Sequence, residues 1–143
     1  MNDRDEKLFA ALALAAERRL SEFNPQNVAI TAWAFAIVNY RDEKLFASLA
    51  IAAERRLSKF NPQNVANMAW ALATVDYRDE KLFEALATAA ERRLSESNPQ
   101  GLANTAWVFA TVNYRDEQLF EALAIAAERR RSELNLQGPA HTA

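Results

Sequence analysis

Three groups of side chains recur in this chain at spacings that could do chemistry. The first is Gln63, Asn67, Trp70 and Thr74, repeated as Gln100, Asn104, Trp107 and Thr111. Steps of four, three and four residues keep each set on one line of a helix. Asn and Gln amides can bond base edges in pairs, and an indole face can stack an unpaired base, worth roughly 1–3 kcal/mol per base. Such a set, supplied once per structural unit, suits single-stranded nucleic acid. The same line also passes through Gln26, Ile30, Trp33 and Ile37, where Ile replaces two polar members. A competing expectation is that the Trp rings pack in the core and that the Asn side chains bridge neighbouring units.

The second group is the arginine pairs Arg18-Arg19, Arg55-Arg56 and Arg92-Arg93, followed by Arg129 to Arg131. The first members, Arg18, Arg55, Arg92 and Arg129, point outward on a helical wheel and could track phosphates. Arg19 falls beside the apolar stripe, where its stem would lie along apolar surface with the charge in water. The alternative is that these arginines complement a helix dipole and pair with nearby acids, including those that open an adjacent unit. The third group, Asp5-Glu6, Asp42-Glu43, Asp79-Glu80 and Asp116-Glu117, only superficially suggests acid–base pairs. Adjacent residues on a helix do not face each other, and each pair sits where a helix should begin. The one histidine, His141, lies near the end of the sequence, and the two glycines, Gly101 and Gly138, make no phosphate-cradling loop. Without cysteine there is no thiolate metal site or thiol nucleophile. No enzyme, metal or cofactor is expected.

The elements that carry these groups follow from one property of the sequence, which matches itself at a shift of 37 residues. Full repeats occupy 4–40, 41–77 and 78–114, and a partial one occupies 115–143. A period of this size marks an array of helical units, each packing on its neighbours. Each repeat reads as two helices. The first, Asp5 to Leu20 in repeat one, places Leu8, Phe9, Leu12, Ala13, Ala16, Leu20 and Phe23 on one side and its charges on the other. The second is announced by Asn24-Pro25, Asn61-Pro62 and Asn98-Pro99, an N-cap followed by a first-turn proline. It runs to about Val38. In repeat two, Val65, Met68, Leu72 and Val75 form an apolar wall, and Ala66, Ala69 and Ala73 a small-residue edge for close helix approach.

Short connections force antiparallel packing. The predicted fold is all-α: an α-solenoid of antiparallel helix pairs, three full repeats plus one additional helix from Asp116 to Arg131, spanning 1–143 as one domain. Leu136, Gly138 and Pro139 argue against a further helix, so 135–143 is expected to fray.

The segments NPQNVANMAWALATVDY and NPQGLANTAWVFATVNY, above all Leu102 to Ala110, resemble octotricopeptide and heptatricopeptide repeats. The resemblance runs from Arg4 to about Gln137, with Asn67, Trp70, Asn104 and Trp107 on the motif. It implies a right-handed α-solenoid that binds RNA in chloroplasts or mitochondria. The net charge of −2 departs from the basic surplus of such proteins, and no basic arm is present. One base per unit reads only about three or four nucleotides, so binding should be weak or shared with a longer or assembled array.

The partner is therefore single-stranded RNA or, alternatively, protein, with the chain acting as a scaffold or accessory subunit of a larger complex. Repeat one carries Ala10, Ala11 and Leu14 where repeat three has Glu84, Ala85 and Thr88, and the array ends without polar caps, so self-association through apolar ends is expected. No targeting segment and no run able to span a bilayer is read.

Overall fold

The computed structural model describes residues 3–111, 121 and 123–129, and the rest of the fourth repeat, including the proposed fraying at 135–143, lies outside them. The fold is the predicted α-solenoid. Its helices are α1 (Asp3–Arg19), α2 (Pro25–Ile37), α3 (Glu43–Arg56), α4 (Pro62–Thr74), α5 (Glu80–Arg92) and α6 (Pro99–Thr111). Positions 121 and 123–129 are helical where the additional helix was predicted, and the described residues contain no strand.

Local chemistry sets the boundaries between the described helices. Asn24 and Asn61 cap α2 and α4, their Oδ1 atoms accepting from the N–H of Asn27 and Asn64 at 2.7 Å. Asn27 and Asn64 return the bond at 3.1 Å to the cap's own N–H, closing a reciprocal box. Repeat three keeps the cap, with the Gly101 N–H donating to Asn98 at 2.7 Å, but Gly101 has no side chain to answer it. The first helices use acids instead: Asp42 and Asp79 accept from Leu45 and Leu82 N–H at 3.0 Å. Those members of the acidic pairs are thus helix caps.

α2 and α4 end with Asn39 and Asp76 in the left-handed region, φ 57° and 58°. The N–H of Tyr40 and Tyr77 reaches back to Phe35 and Leu72 carbonyls at 2.9 and 2.8 Å, and those of Asn39 and Asp76 to Ala36 and Ala73. This double closure normally favours glycine, and Asn and Asp are the side chains that best tolerate it. Each first helix closes with a 3₁₀ turn, Leu20–Glu22, Leu57–Lys59 and Leu94–Glu96.

The helices form two layers. α2, α4 and α6 pack closely on one another, whereas α1, α3 and α5 touch each other at few points. The second helices are therefore the inner layer of the curve and the first helices the outer one. Small residues explain the close approach: Ala29, Ala32, Ala36, Ala66, Ala69 and Ala71 are all buried. The predicted wall of Val65, Met68, Leu72 and Val75 is buried as well.

The predicted apolar side of α1 is in part open to water. Leu8 and Leu12 are 53% and 46% exposed, while their counterparts Leu45 and Leu49 are fully buried. In repeat two a preceding repeat covers those positions, and among the described residues none precedes α1. Leu14 belongs to the outer face, where its counterparts Ile51, Thr88 and Ile125 are exposed as well, and Ala10 and Ala11 are exposed beside it.

Candidate functional site

On α4, the helix with a neighbour on both sides, buried residues occupy most of the wheel. The strip open to solvent is Gln63, Asn67, Trp70 and Thr74, flanked by Ala73. Gln63 is exposed and donates from Nε2 to Asn67 Oδ1 at 2.9 Å, so the two amides are held as one unit. On α6, Gln100, Asn104, Trp107 and Thr111 are all exposed, and on α2 so are Gln26, Ile30, Trp33 and Ile37. The helix spacing of a packed layer, roughly 8–10 Å, separates one strip from the next.

The indoles do not fill the core. Trp107 is 59% exposed and Trp33 41%; Trp70 rests partly on the core and opens into a groove. That groove, about 560 Å³, is lined by Trp70, Thr74, Tyr77, Arg78 and Phe83 and reaches Thr111 of the following repeat. It continues into a second groove of similar volume through the shared residues Asp76, Tyr77 and Arg78, toward Arg41 and Phe46. Arg41 Nε donates to Asn39 at 2.8 Å and Arg78 Nε to Asp76 at 3.0 Å, so each cation is tethered to the residue that makes the turn.

The residues of this inter-repeat edge were not singled out from sequence. The signal lies in Asn39-Tyr40-Arg41 and Asp76-Tyr77-Arg78, one period apart, which look in sequence like plain connections between repeats. In repeat one the corresponding aromatics cluster: Phe9 meets Phe35 edge-on at 5.8 Å, and Phe35 meets Tyr40 at 5.5 Å.

Electrostatically the inner layer is unusual in having no charge. α2, α4 and α6 contain no Lys, Arg, Asp or Glu. Among the described residues, the cations that line its rim grooves are Arg41 and Arg78, and the Trp70 groove also holds Asp76, Asp79 and Glu80. The face can bond and stack neutral rings, but it offers phosphates little.

The arginine pairs lie elsewhere. They close the outer helices, and the grooves that they line share no residue with the Trp70 groove. Arg18, Arg55, Arg92 and Arg129 are exposed. Their neighbours have structural work that the sequence reading did not foresee. Arg56 Nη2 donates to the Ser21 carbonyl at 3.0 Å and Arg93 Nη2 to the Ser58 carbonyl at 2.8 Å, each binding a repeat to the turn of the one before. Arg19 does not lie along apolar surface: it is exposed and pairs with Glu22 at 3.1 Å. That bond and the charge of Arg19 hold the Glu22 carboxyl below its ordinary value and raise the guanidinium. Arg93 pairs with Glu96 in the same way. These acids belong to the arginines' own turns, not to the start of an adjacent repeat.

A family model for the RNA-editing substrate-binding complex 6 protein (RESC6) matches residues 2–142. The chain belongs to the RESC6 family. No curated protein matches it. RESC6 membership makes the chain one of an RNA-associated helical family named for an RNA-editing complex, and it does not single out octotricopeptide repeats. Among the described residues of this RESC6 family member, no group of His, Cys, Asp and Glu could hold a metal ion, and no helix is long and apolar enough to cross a membrane.

Proposed function

We propose that the chain is a non-enzymatic binding module of an RNA-editing complex whose inner face takes single-stranded RNA. The Trp rings stack bases, and the amides of Gln63, Asn67, Gln100 and Asn104 bond base edges. The observation that carries this reading is the exposure of Trp33 and Trp107 on the same line as the half-buried Trp70. A large apolar ring left in water in two repeats and only partly covered in the third, at one position of the repeat, argues for a ligand. The family supports the choice of RNA, as does the octotricopeptide-like phrase Leu102 to Ala110. The charge-free inner layer adds a constraint. Affinity should come from bases, and the logarithm of the binding constant should fall only slightly with the logarithm of salt, since few phosphates are neutralised.

Titration of the chain with short single-stranded RNA pools, followed by Trp emission, tests the proposal. Exposed indoles emit at long wavelength and should be quenched as bases stack on them. Unchanged emission across all pools at low salt would overturn it.

A second reading has one observation in its favour. In repeat one the line is Ile30, Trp33 and Ile37, all exposed, an apolar patch better suited to a protein surface than to bases. On that reading the module is a scaffold or accessory subunit, and the emission change appears with protein rather than RNA.

A further inference from the structure

The outer face carries a ladder of its own. Between successive outer helices lie two grooves that are the same surface one period apart. One, of about 310 Å³, holds Leu20, Ile51, Arg55 and Arg56. The other, of about 590 Å³, holds Leu57, Thr88, Arg92 and Arg93. In each groove the second arginine is committed to the Ser carbonyl of the preceding turn. The first, Arg55 or Arg92, is exposed and has no bonded partner among the described residues. The only acid in either groove is Glu96, which Arg93 already holds. Glu54 and Glu91 precede the free arginines by one position and so point about 100° away around the helix.

One turn before each outward arginine stands an exposed residue: Leu14 before Arg18, Ile51 before Arg55, Thr88 before Arg92 and Ile125 before Arg129. Three of these four are large and apolar. Three outer helices thus show the same pair at spacing i, i+4, an apolar side chain and a free guanidinium, and α5 keeps the guanidinium of Arg92 with Thr88 in place of the apolar member.

We infer that this outer face docks an acidic amphipathic segment of a protein partner, its carboxylates on Arg55 and Arg92 and its apolar side chains over Ile51 and its counterparts. Charge complementarity sets the acidic character. The apolar member of each pair separates this partner from RNA, whose phosphates would satisfy the arginines but leave the exposed Leu14, Ile51 and Ile125 in water. The face lies on the opposite layer from the Trp line, so the two surfaces can be occupied together. The inference does not depend on what the inner face binds.

The test uses the full chain and two probes. One is a fluorescent helical peptide with Leu and Glu at i, i+4 spacing; the other is its scramble, of equal charge but with no apolar stripe. Binding is read by anisotropy for the native chain, for R55E/R92E and for I51S, with circular dichroism as the control for folding. These side chains are exposed and unbonded, so the fold should be retained. The Leu/Glu peptide should bind at least about tenfold more tightly than its scramble, and R55E/R92E should weaken it by about tenfold or more. Equal binding of the two peptides, or no loss in either variant, overturns the inference. Titration of R55E/R92E with single-stranded RNA separates the two proposals: unchanged RNA response is expected, and a fall would assign these arginines to phosphate contact and overturn the protein-docking assignment.

Discussion

Replacing the three Trp residues one at a time separates a ligand surface from a packing surface, because their burial differs. Trp107 is 59% exposed. Of about 250 Å² on a Trp side chain, roughly 100 Å² is then out of water, an upper bound of about 2.5 kcal/mol at 25 cal/mol per Å². Part of that burial survives in an alanine, so W107A should cost about 1–2 kcal/mol of stability. Trp70 rests against the core, and truncation there approaches the roughly 3–5 kcal/mol of a core Trp. The order of binding loss is different. Stacking contributes roughly 1–3 kcal/mol per base, so W107A should weaken RNA binding by about 5- to 150-fold while leaving most of the stability.

The assay pairs thermal denaturation with fluorescence anisotropy of a labelled RNA, which does not depend on the Trp that was removed. W107A should lose binding and keep its fold, and W107F should recover part of the loss. The reasoning fails if W107A destabilises the chain as much as W70A, for then the exposed ring has an unrecognised packing role. It fails equally if W107A binds RNA as well as the native chain.

Other outcomes follow from the same geometry. R56A and R93A each remove a bond between repeats and should lower stability by about 0.5–1.5 kcal/mol, seen in thermal melts, while R55A changes it little. N61D keeps the cap and adds a negative charge at a helix N-terminus, so it should stabilise the chain by about 0.3–1 kcal/mol yet weaken RNA binding, as a melt and an anisotropy titration would report. Glu22 has a folded-state value below its ordinary one, so the contribution of its pair with Arg19 is present above the ordinary carboxylate range and is lost as pH falls through the lowered value. The Glu22 carboxyl resonance should titrate lower in the native chain than in R19Q.

The 37-residue period and the Asn-Pro signals made the helix pairs legible, because capping and apolar periodicity are local and repeat identically. The line through Trp70 was legible too, since the wheel arithmetic needs only a straight helix. Which way each line faces was less accessible. Leu8 and Leu45 stand at the same position of their repeats and look alike in sequence, yet one is exposed and the other buried, because burial depends on whether another repeat covers it. The arginine pairs hid their division of labour for a similar reason. Arg55 and Arg56 are adjacent and identical, and only the path of the preceding turn brings the Ser21 carbonyl within reach of the second. The Tyr77-Arg78 edge went unread because its groove is closed by Phe83 and Thr111, residues from two further helices.

The two layers differ in one respect that stability alone does not explain. The outer helices are capped by Asp42 and Asp79, the inner helices by Asn24, Asn61 and Asn98, and each cap accepts the same backbone bond. An aspartate would also gain from the helix dipole, about 0.3–1 kcal/mol, so asparagine is the weaker choice in energy and recurs at all three inner positions. What it preserves is neutrality: the inner helices carry no charge from first turn to last. A carboxylate at each cap would stand one turn or less from Gln26, Gln63 and Gln100, where the Trp line begins, and would repel a polyanion there. A protein partner would tolerate those acids through its own lysines and arginines, whereas RNA has no such recourse. The asparagine caps therefore weigh toward RNA on the inner face, and the charged residues of each repeat are left to the turns and to the outer helices, where a protein can use them.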